Sequence, residues 1–524
     1  MNTVEGREKN FSFQRRLGCT LSWILLLLFF SVSDVSPIQS LQADANRVKK
    51  ILPQFDAYAR STFKRSGVPG MAIAVVYQDK VQYLKCFGIR KVGSPEAVDA
   101  DTIFQLASIS KSFTSATIAS MVGDGLLGWD ERVIDHYPEF HLYDSWVVDQ
   151  ITIRDLLSHR SGLPEYIGDK LESEFKYDRQ EILYRLRYQR PIAGFRSCYG
   201  YQNFLVTAAG EAAAKAVSKK WSDLVAERIF NPLDMSSTSA HFADVEKAEN
   251  RVTGHVRKND KMIPQALRRP DAQSPAGGVS STISDMVKWV RMQLAGGDFE
   301  GKRIICVEAL KETHKPQTII HSSDNGLSCY GLGWFVDYSE GHKVVHHGGD
   351  FGTGISTSTF LIPSEQVGIV ILTNAFPEGH ILHTALTKTF NDLFFAGKNE
   401  TDWWPIVKEE FEKALVESIL DPFEHLPKTP SPKTPGLPSS SYVGEYENSY
   451  YGKIRVVERN HGLSLYMGHN KVPYKLTHWN GNIFKDEKTN SGMIFNIGSD
   501  GRAYEVLVKS LDFGGRNGRF VRTQ

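Results

Sequence analysis

Phe104-Gln-Leu-Ala-Ser108-Ile-Ser-Lys111-Ser-Phe-Thr-Ser-Ala-Thr-Ile-Ala-Ser-Met121 passes from a strand-like lead-in to a helical pattern. With a helix starting near Ser108, positions i and i+3 share a face, so the Lys111 amine falls within reach of the Ser108 hydroxyl. The partial positive charge at a helix N-terminus favours an alkoxide-like oxygen there. A serine hydroxyl is a weak nucleophile until a base takes its proton. Lysine serves as that base only where burial and neighbouring cations hold its pKa down. The plain alternative is a helix-capping serine followed by a solvated lysine. Ser-x-x-Lys also occurs at Ser61–Lys64 and Ser173–Lys176, to which no role is given, so the tetrad alone decides nothing.

Two further stretches supply context. Phe195-Arg-Ser-Cys-Tyr-Gly-Tyr201-Gln-Asn203 leads into an Ala/Gly-rich helix over 204–218. A Tyr–Asn pair at a helix entrance can present a phenol to the Ser–Lys pair and an amide to substrate. Tyr446-Glu-Asn448 repeats the spacing by chance. His346-His347-Gly348-Gly349 follows the strand-like Lys343-Val-Val345, where glycine permits close approach of a substrate backbone. The Gly349 and Ser108 amides together could bind a developing oxyanion. A metallohydrolase using His159, His346 and His347 is the competing reading. No carboxylate or Cys stands at ligand spacing to them, so neither metal nor cofactor is expected.

The order Ser108-x-x-Lys111, Tyr201-x-Asn203, His346-x-Gly348 resembles the serine β-lactamase and penicillin-binding-protein-like family, in its class C branch. Gly125-Leu-Leu-Gly-Trp-Asp130, 151–164, 227–235 and Pro275-Ala-Gly-Gly278 also look like that family, and the similarity spans Val48 to Phe395. From Tyr442-Val-Gly-Glu-Tyr446 onward the chain resembles the small β domain often fused to it. The resemblance implies an acyl-enzyme hydrolase: Ser108 attacks a carbonyl, Lys111 and Tyr201 shuttle protons, and Asn203, His346, Gly348 and Gly349 bind substrate. β-Lactam-binding members usually carry Lys where His346 stands, and neutral His attracts a substrate carboxylate less. The expected substrate is therefore a small peptide, ester or lactam-like amide, with peptidase or esterase activity ahead of β-lactam hydrolysis. The alternative is a weakly catalytic scaffold that keeps the fold and uses the β domain as an interaction module.

The chain has 524 residues, too many for one compact core. Lys plus Arg total 61 against 60 Asp plus Glu, a balance that offers no footprint for nucleic acid. Arg15-Arg16 precede an apolar run, Leu17 to Val32, followed by small residues and Pro37. That is the order of a secretory signal, shorter than a comfortable membrane span. The expectation is a secreted or secretory-pathway protein, with a signal anchor and membrane tether as the alternative. Beyond Cys19, four widely spaced cysteines, Cys86, Cys198, Cys306 and Cys329, allow either disulfides or free thiols. Asn399-Glu400-Thr401 is a glycosylation sequon.

Strand patterns at 71–77 and 81–87 form a hairpin, a mostly helical stretch covers about 110–293, and strands return at 331–336, 343–345, 356–362 and 367–373. Helices are expected over 45–65 and 379–395. This predicts an α/β (α+β) fold: an antiparallel sheet flanked by helices, with a mainly helical subdomain inserted between its strands. Six prolines between Pro422 and Pro438 mark a linker. Asn480-Gly481 and Asp500-Gly501 mark hairpins in an all-β tail. The expected organisation is a signal over 1–40, a hydrolase domain over 41–420, a linker over 421–441 and a small barrel-like domain over 442–524.

Overall fold

The computed structural model describes residues 46–323, 326–339, 341–419, 430–460, 462–487, 491–512 and 517–523. The expected signal, with Cys19, and the first part of the expected linker lie outside them. Among the described residues no helix is long and apolar enough to cross a membrane.

Helix α1 (Arg47–Ser66) leads into a hairpin of β1 (Gly70–Tyr77) and β2 (Lys80–Gly88). Its two turn residues, Gln78 and Asp79, both have positive φ, 47° and 59°, as the twist of a two-residue hairpin turn requires. Every residue of β1 is buried, because the strand separates two cores. Ala72, Ala74 and Val76 face the helical insertion, while Met71, Ile73, Val75 and Tyr77 face α1 and the C-terminal helix. Strand alternation produces this two-sided burial.

The remaining strands are β3 (Thr318–Ser323), β4 (Gly326–Tyr330), β5 (Phe335–Ser339), β6 (His342–Phe351), β7 (Ile355–Ile362) and β8 (Val367–Thr373). They complete an eight-stranded sheet in the order β2-β1-β8-β7-β6-β5-β4-β3. All seven pairings are antiparallel. β3 and β4 are not foreseen by the sequence reading, and the strand expected at 331–336 begins only at Phe335, after a bend at 332–334. The polar Thr318-to-Ser323 segment forms the sheet edge, so it lacks the apolar run that marks inner strands.

Between β2 and β3 lies the helical insertion, with α2 (Ser110–Gly123), α3 (Asp169–Ser173), α4 (Arg179–Arg185), α5 (Asn203–Ala216) and α6 (Ile283–Leu294) as its principal helices. A short hairpin, His255–Lys258 with Lys261–Pro264, interrupts the expected helical block. Phe113 of α2 stacks on Trp289 of α6 at 4.0 Å, tying two helices of the insertion together. On the other face α7 (Glu378–Ala396) covers the sheet beside α1, with Phe55 edge-on to Phe390 at 5.3 Å. Helix α8 (Trp403–Ile419), also unforeseen, packs Val407 and Phe411 on α7. Among the described residues Cys86, Cys198, Cys306 and Cys329 form no disulfide.

Eight C-terminal strands close into a barrel: β9 (Gly444–Asn448), β10 (Gly452–Arg459), β11 (Gly462–Met467), β12 (Tyr474–Asn480), β13 (Ile483–Asp486), β14 (Gly492–Ile497), β15 (Ala503–Val508) and β16 (Arg519–Arg522). Closure is made by Tyr446 and Glu447 of β9 pairing with Arg522 and Val521 of β16. Closing the sheet removes its free edges. The barrel sits against the segment around α3 and α4. Tyr451 stacks on Phe175 at 5.3 Å, Tyr177 donates to the Tyr451 carbonyl at 3.0 Å, and the His469 amide donates to the Phe175 carbonyl at 2.8 Å.

Candidate active site

Ser108 stands on a single 3₁₀ turn, Ala107–Ile109, immediately before α2. The turn is held from several sides. The Leu106 amide donates to Val279, Thr357 donates to the Leu106 carbonyl at 2.9 Å, and Ser110 donates to the Ala107 carbonyl at 2.6 Å while accepting from the Val279 amide. Ala107 has φ +48°, a conformation that costs a non-glycine residue about 1–2 kcal/mol. That backbone lifts Ser108 to the mouth of the site, partly exposed, while its helical neighbours are buried.

Lys111 is completely buried. Its Nζ lies 3.0 Å from Ser108 Oγ, 2.6 Å from Asn203 Oδ1 and 2.9 Å from the Ala276 carbonyl. Burial pulls its pKa down to about 7, against a smaller upward pull from Asp169. A neutral amine has two N–H groups and one lone pair. The two carbonyl oxygens can take both N–H groups, which leaves the lone pair directed at the Ser108 hydroxyl. This environment is built for a base.

Tyr201 and Asn203 come to the same place. The Tyr201 carbonyl accepts from the Tyr166 amide at 2.7 Å, and the Gln202 amide donates to His159 Nδ1 at 3.2 Å, fixing the turn ahead of α5. Tyr201 is 8% exposed, Lys111 Nζ lies 4.7 Å from its ring centre, and burial, partly offset by the neighbouring Ser108, raises its pKa well above 10. A phenol so held stays protonated, so Lys111 is the stronger proton acceptor of the two. Asn203 opens α5, donates its Nδ2 to Asp169 Oδ2 at 2.8 Å and turns its oxygen to Lys111. Burial, reinforced by Glu172, lifts Asp169 to about 7. The sequence reading passed over Asp169, which lies far from Asn203 along the chain and carries no motif.

The wall opposite is β6. Alternation along it places Val344 in the core beneath α1 and α7 and Val345 in the core shared with the insertion. His347 and Gly349 share the Val345 side, and His346 and Gly348 the other. A β-carbon on Gly349 would stand 3.0 Å from the Ser108 nitrogen, so the two backbone segments are in contact there. His346, assigned above to substrate, instead bonds Asp337 Oδ2 through Nε2 at 2.6 Å and stacks on Phe335. Gly348 lies beside it on the strand, away from Ser108.

His347 is the histidine turned to the site. Its Nδ1 bonds the Gly348 carbonyl at 2.6 Å, an acceptor, so Nδ1 carries the proton and Nε2 accepts from the Tyr330 hydroxyl at 2.9 Å. Burial, then the nearby Lys111, lower its pKa to about 3. His159, buried behind Tyr201 with ring centroids 4.7 Å apart, is likewise pushed well below 6.5 by burial and Lys111. Both rings are neutral, so neither supplies the positive charge of the family's usual lysine. Residue identity alone did not separate His346 from His347; strand register does.

Among the described residues, the side chains of metal-ligand type that converge are Asp350, His380 and His383, not His159, His346 and His347. Ser356 donates to Asp350 Oδ1 at 2.5 Å and bonds His383 Nε2 at 3.0 Å, while His380 Nδ1 bonds Asp350 Oδ2 at 3.1 Å. Those bonds satisfy the carboxylate and tie β6, β7 and α7 together.

Comparison with known proteins gives the family and the fold. A family model described as Beta-lactamase matches residues 53–388, and one described as a domain of unknown function (DUF3471) matches 428–522. The chain is 26% identical over 428 residues to "Unguisins hydrolase ungD'" of Aspergillus campestris, covering 78% of each. It is 23% identical over 467 residues to "Beta-lactamase-like protein 2" of Dictyostelium discoideum, covering 85% of this chain and 79% of that one. The solved octameric penicillin-binding protein homologue from Pyrococcus abyssi has the same fold, with a TM-score of 0.58 at 19% identity over 90% of this chain and all of the other. The chain belongs to the beta-lactamase family.

Proposed function

We propose that this protein is a serine hydrolase that cleaves an amide or ester through an acyl-enzyme on Ser108. The observation that carries the reading is the fully buried Lys111, with Nζ 3.0 Å from Ser108 Oγ and its other two directions taken by carbonyl oxygens. Lys111 removes the Ser108 proton as Oγ attacks the substrate carbonyl. The oxyanion that forms is held by the Ser108 and Gly349 amides. Tyr201, beside Ser108, passes the proton to the leaving amine or alkoxide. Water then releases the acyl group by the reverse traffic.

The neutral, buried His347 on the site side of β6 favours peptides and esters over substrates recognised by a carboxylate. Two similar Aspergillus proteins are named as unguisins hydrolases, which supports the hydrolase reading. The N-terminal apolar run supports a secreted or secretory-pathway enzyme, with a membrane anchor as the alternative. Fluorophosphonate labelling of the full chain, beside a panel of p-nitrophenyl esters, D-amino-acid anilides and a chromogenic lactam, tests the reading. Label and turnover are expected in wild type and lost in Ser108→Ala. No Ser108-dependent label and no turnover would leave the chain a non-catalytic member of its family.

A further inference from the structure

Asn203 can serve Lys111 in one orientation only. A side-chain amide has nearly the same shape with oxygen and nitrogen exchanged. With Oδ1 toward Lys111 it accepts an N–H and leaves the amine lone pair to Ser108. Flipped, it would donate to that lone pair and quench the base. What prevents the flip is Asp169, whose Oδ2 accepts from Asn203 Nδ2 at 2.8 Å. Asp169 Oδ1 is buried with no hydrogen-bond partner among the described residues, so the carboxyl is held by its backbone rather than by a web of side-chain bonds.

That backbone is held by the barrel. The buried Gly168 amide donates to the Tyr450 hydroxyl at 2.9 Å. Gly168 has φ +93°, and a β-carbon there would lie 2.5 Å from the Phe204 ring, so α5 presses on the segment from the other side. Tyr450 is 5% exposed and sits on the turn between β9 and β10. Asn448 fixes that turn, accepting from the Tyr450 and Tyr451 amides at 2.8 and 2.9 Å and donating to Asn517 and Arg519 across the barrel. Around it, Lys170 donates to the Ser510 carbonyl and Tyr451 stacks on Phe175, so both ends of α3 rest on the barrel.

We infer that the C-terminal barrel is an intramolecular clamp on the site, in which Tyr450 is a positioning residue: it seats Gly168–Asp169, Asp169 orients Asn203, and Asn203 keeps the Lys111 lone pair on Ser108. The route is one hydrogen bond, one peptide unit and two further hydrogen bonds. The catalytic half of this inference rests on the Ser108–Lys111 reading; the clamp itself does not.

The test uses the full chain carrying Tyr450→Phe, Asp169→Asn or both. Tyr450→Phe keeps the ring and deletes the acceptor for a buried amide. Hydrogen–deuterium exchange over 164–174 is expected to quicken about tenfold in Tyr450→Phe, with the β1–β8 sheet unchanged. Ester turnover is expected to fall about tenfold in Tyr450→Phe, and the double variant to be no slower than the slower single variant, as for residues acting through one another. The acidic limb of the pH–rate profile should move in the same direction in Tyr450→Phe as in Asp169→Asn. Unchanged exchange overturns the clamp whatever the activity. Multiplying effects in the double variant, or a slower Tyr450→Phe enzyme with an unmoved acidic limb, overturn the route through Asp169. If wild type shows no Ser108-dependent chemistry, the functional reading fails separately, and the exchange measurement still decides the clamp.

Discussion

Gly349 lies against Ser108 so closely that a β-carbon on it would stand 3.0 Å from the Ser108 nitrogen, 2.1 Å from the Leu106 carbonyl and 2.7 Å from Thr357 Oγ1. Two of those atoms are backbone and cannot rotate away. Gly349→Ala must therefore push β6 off the turn that carries Ser108 and separate the two amides of the oxyanion pair. Ester turnover is expected to fall at least about a hundredfold, the scale of losing one oxyanion donor. Stability should fall by about 1–3 kcal/mol, as for overpacking. Steady-state kinetics with urea unfolding would check both, and an active Gly349→Ala enzyme would remove the amide from the oxyanion site.

Lys111 makes the pH profile a direct readout. With its pKa lowered to about 7 by burial, kcat/KM is expected to rise through pH 7 as the amine loses its proton. Asp169 pulls that value upward, so Asp169→Asn should move the limb to lower pH. Lys111→Arg, which stays charged, should lose about a thousandfold or more at every pH.

The same group links stability to pH. In the unfolded chain the lysine titrates near ~10.4. Between about 7 and that value the unfolded state binds the extra proton, so folding becomes more favourable as pH rises. Lys111→Met removes the group, and its gain in Tm over wild type should be largest below pH 7 and shrink toward pH 10. A Tm difference independent of pH would mean that Lys111 is not neutral in the native protein.

Tyr201→Phe separates proton transfer from binding. The ring contacts with His159 and Tyr166 survive, while the hydroxyl beside Ser108 is lost. A fall of about a hundredfold in kcat with little change in KM is expected for a lost proton shuttle. A matching rise in KM instead would assign Tyr201 to substrate binding.

The adjacent histidines should part company. His347→Ala opens the site wall and is expected to change kcat/KM for esters about tenfold through poorer positioning, with a modest loss of stability. His346→Ala leaves the buried Asp337 side chain without its 2.6 Å partner and should cost about 1–3 kcal/mol of stability, as for orphaning a buried hydrogen-bonding group. Thermal melts beside turnover would show whether the two effects fall this way round.

Much of this was legible in the chain. Ser108, Lys111, Tyr201 and Asn203 are identified by motif order, and the structure gathers all four around one amine. The central strands declared themselves because their residues are apolar on both faces, as in β1. β3 was not legible, because this edge strand, Thr-Ile-Ile-His-Ser-Ser with Ile319 62% exposed, has no buried face to advertise.

What the sequence by itself determined is therefore the set of candidate site side chains and the layers of the fold, since both follow from residue type at short spacing. The tertiary structure alone decided three other things. It decided which of two adjacent histidines faces Ser108, because a strand sends neighbouring side chains to opposite faces. It brought Asp169 to Asn203, a contact across 34 positions that no local pattern encodes. And it laid Tyr450 of the barrel against Gly168, 282 positions away, where only the packing of two cores could place it.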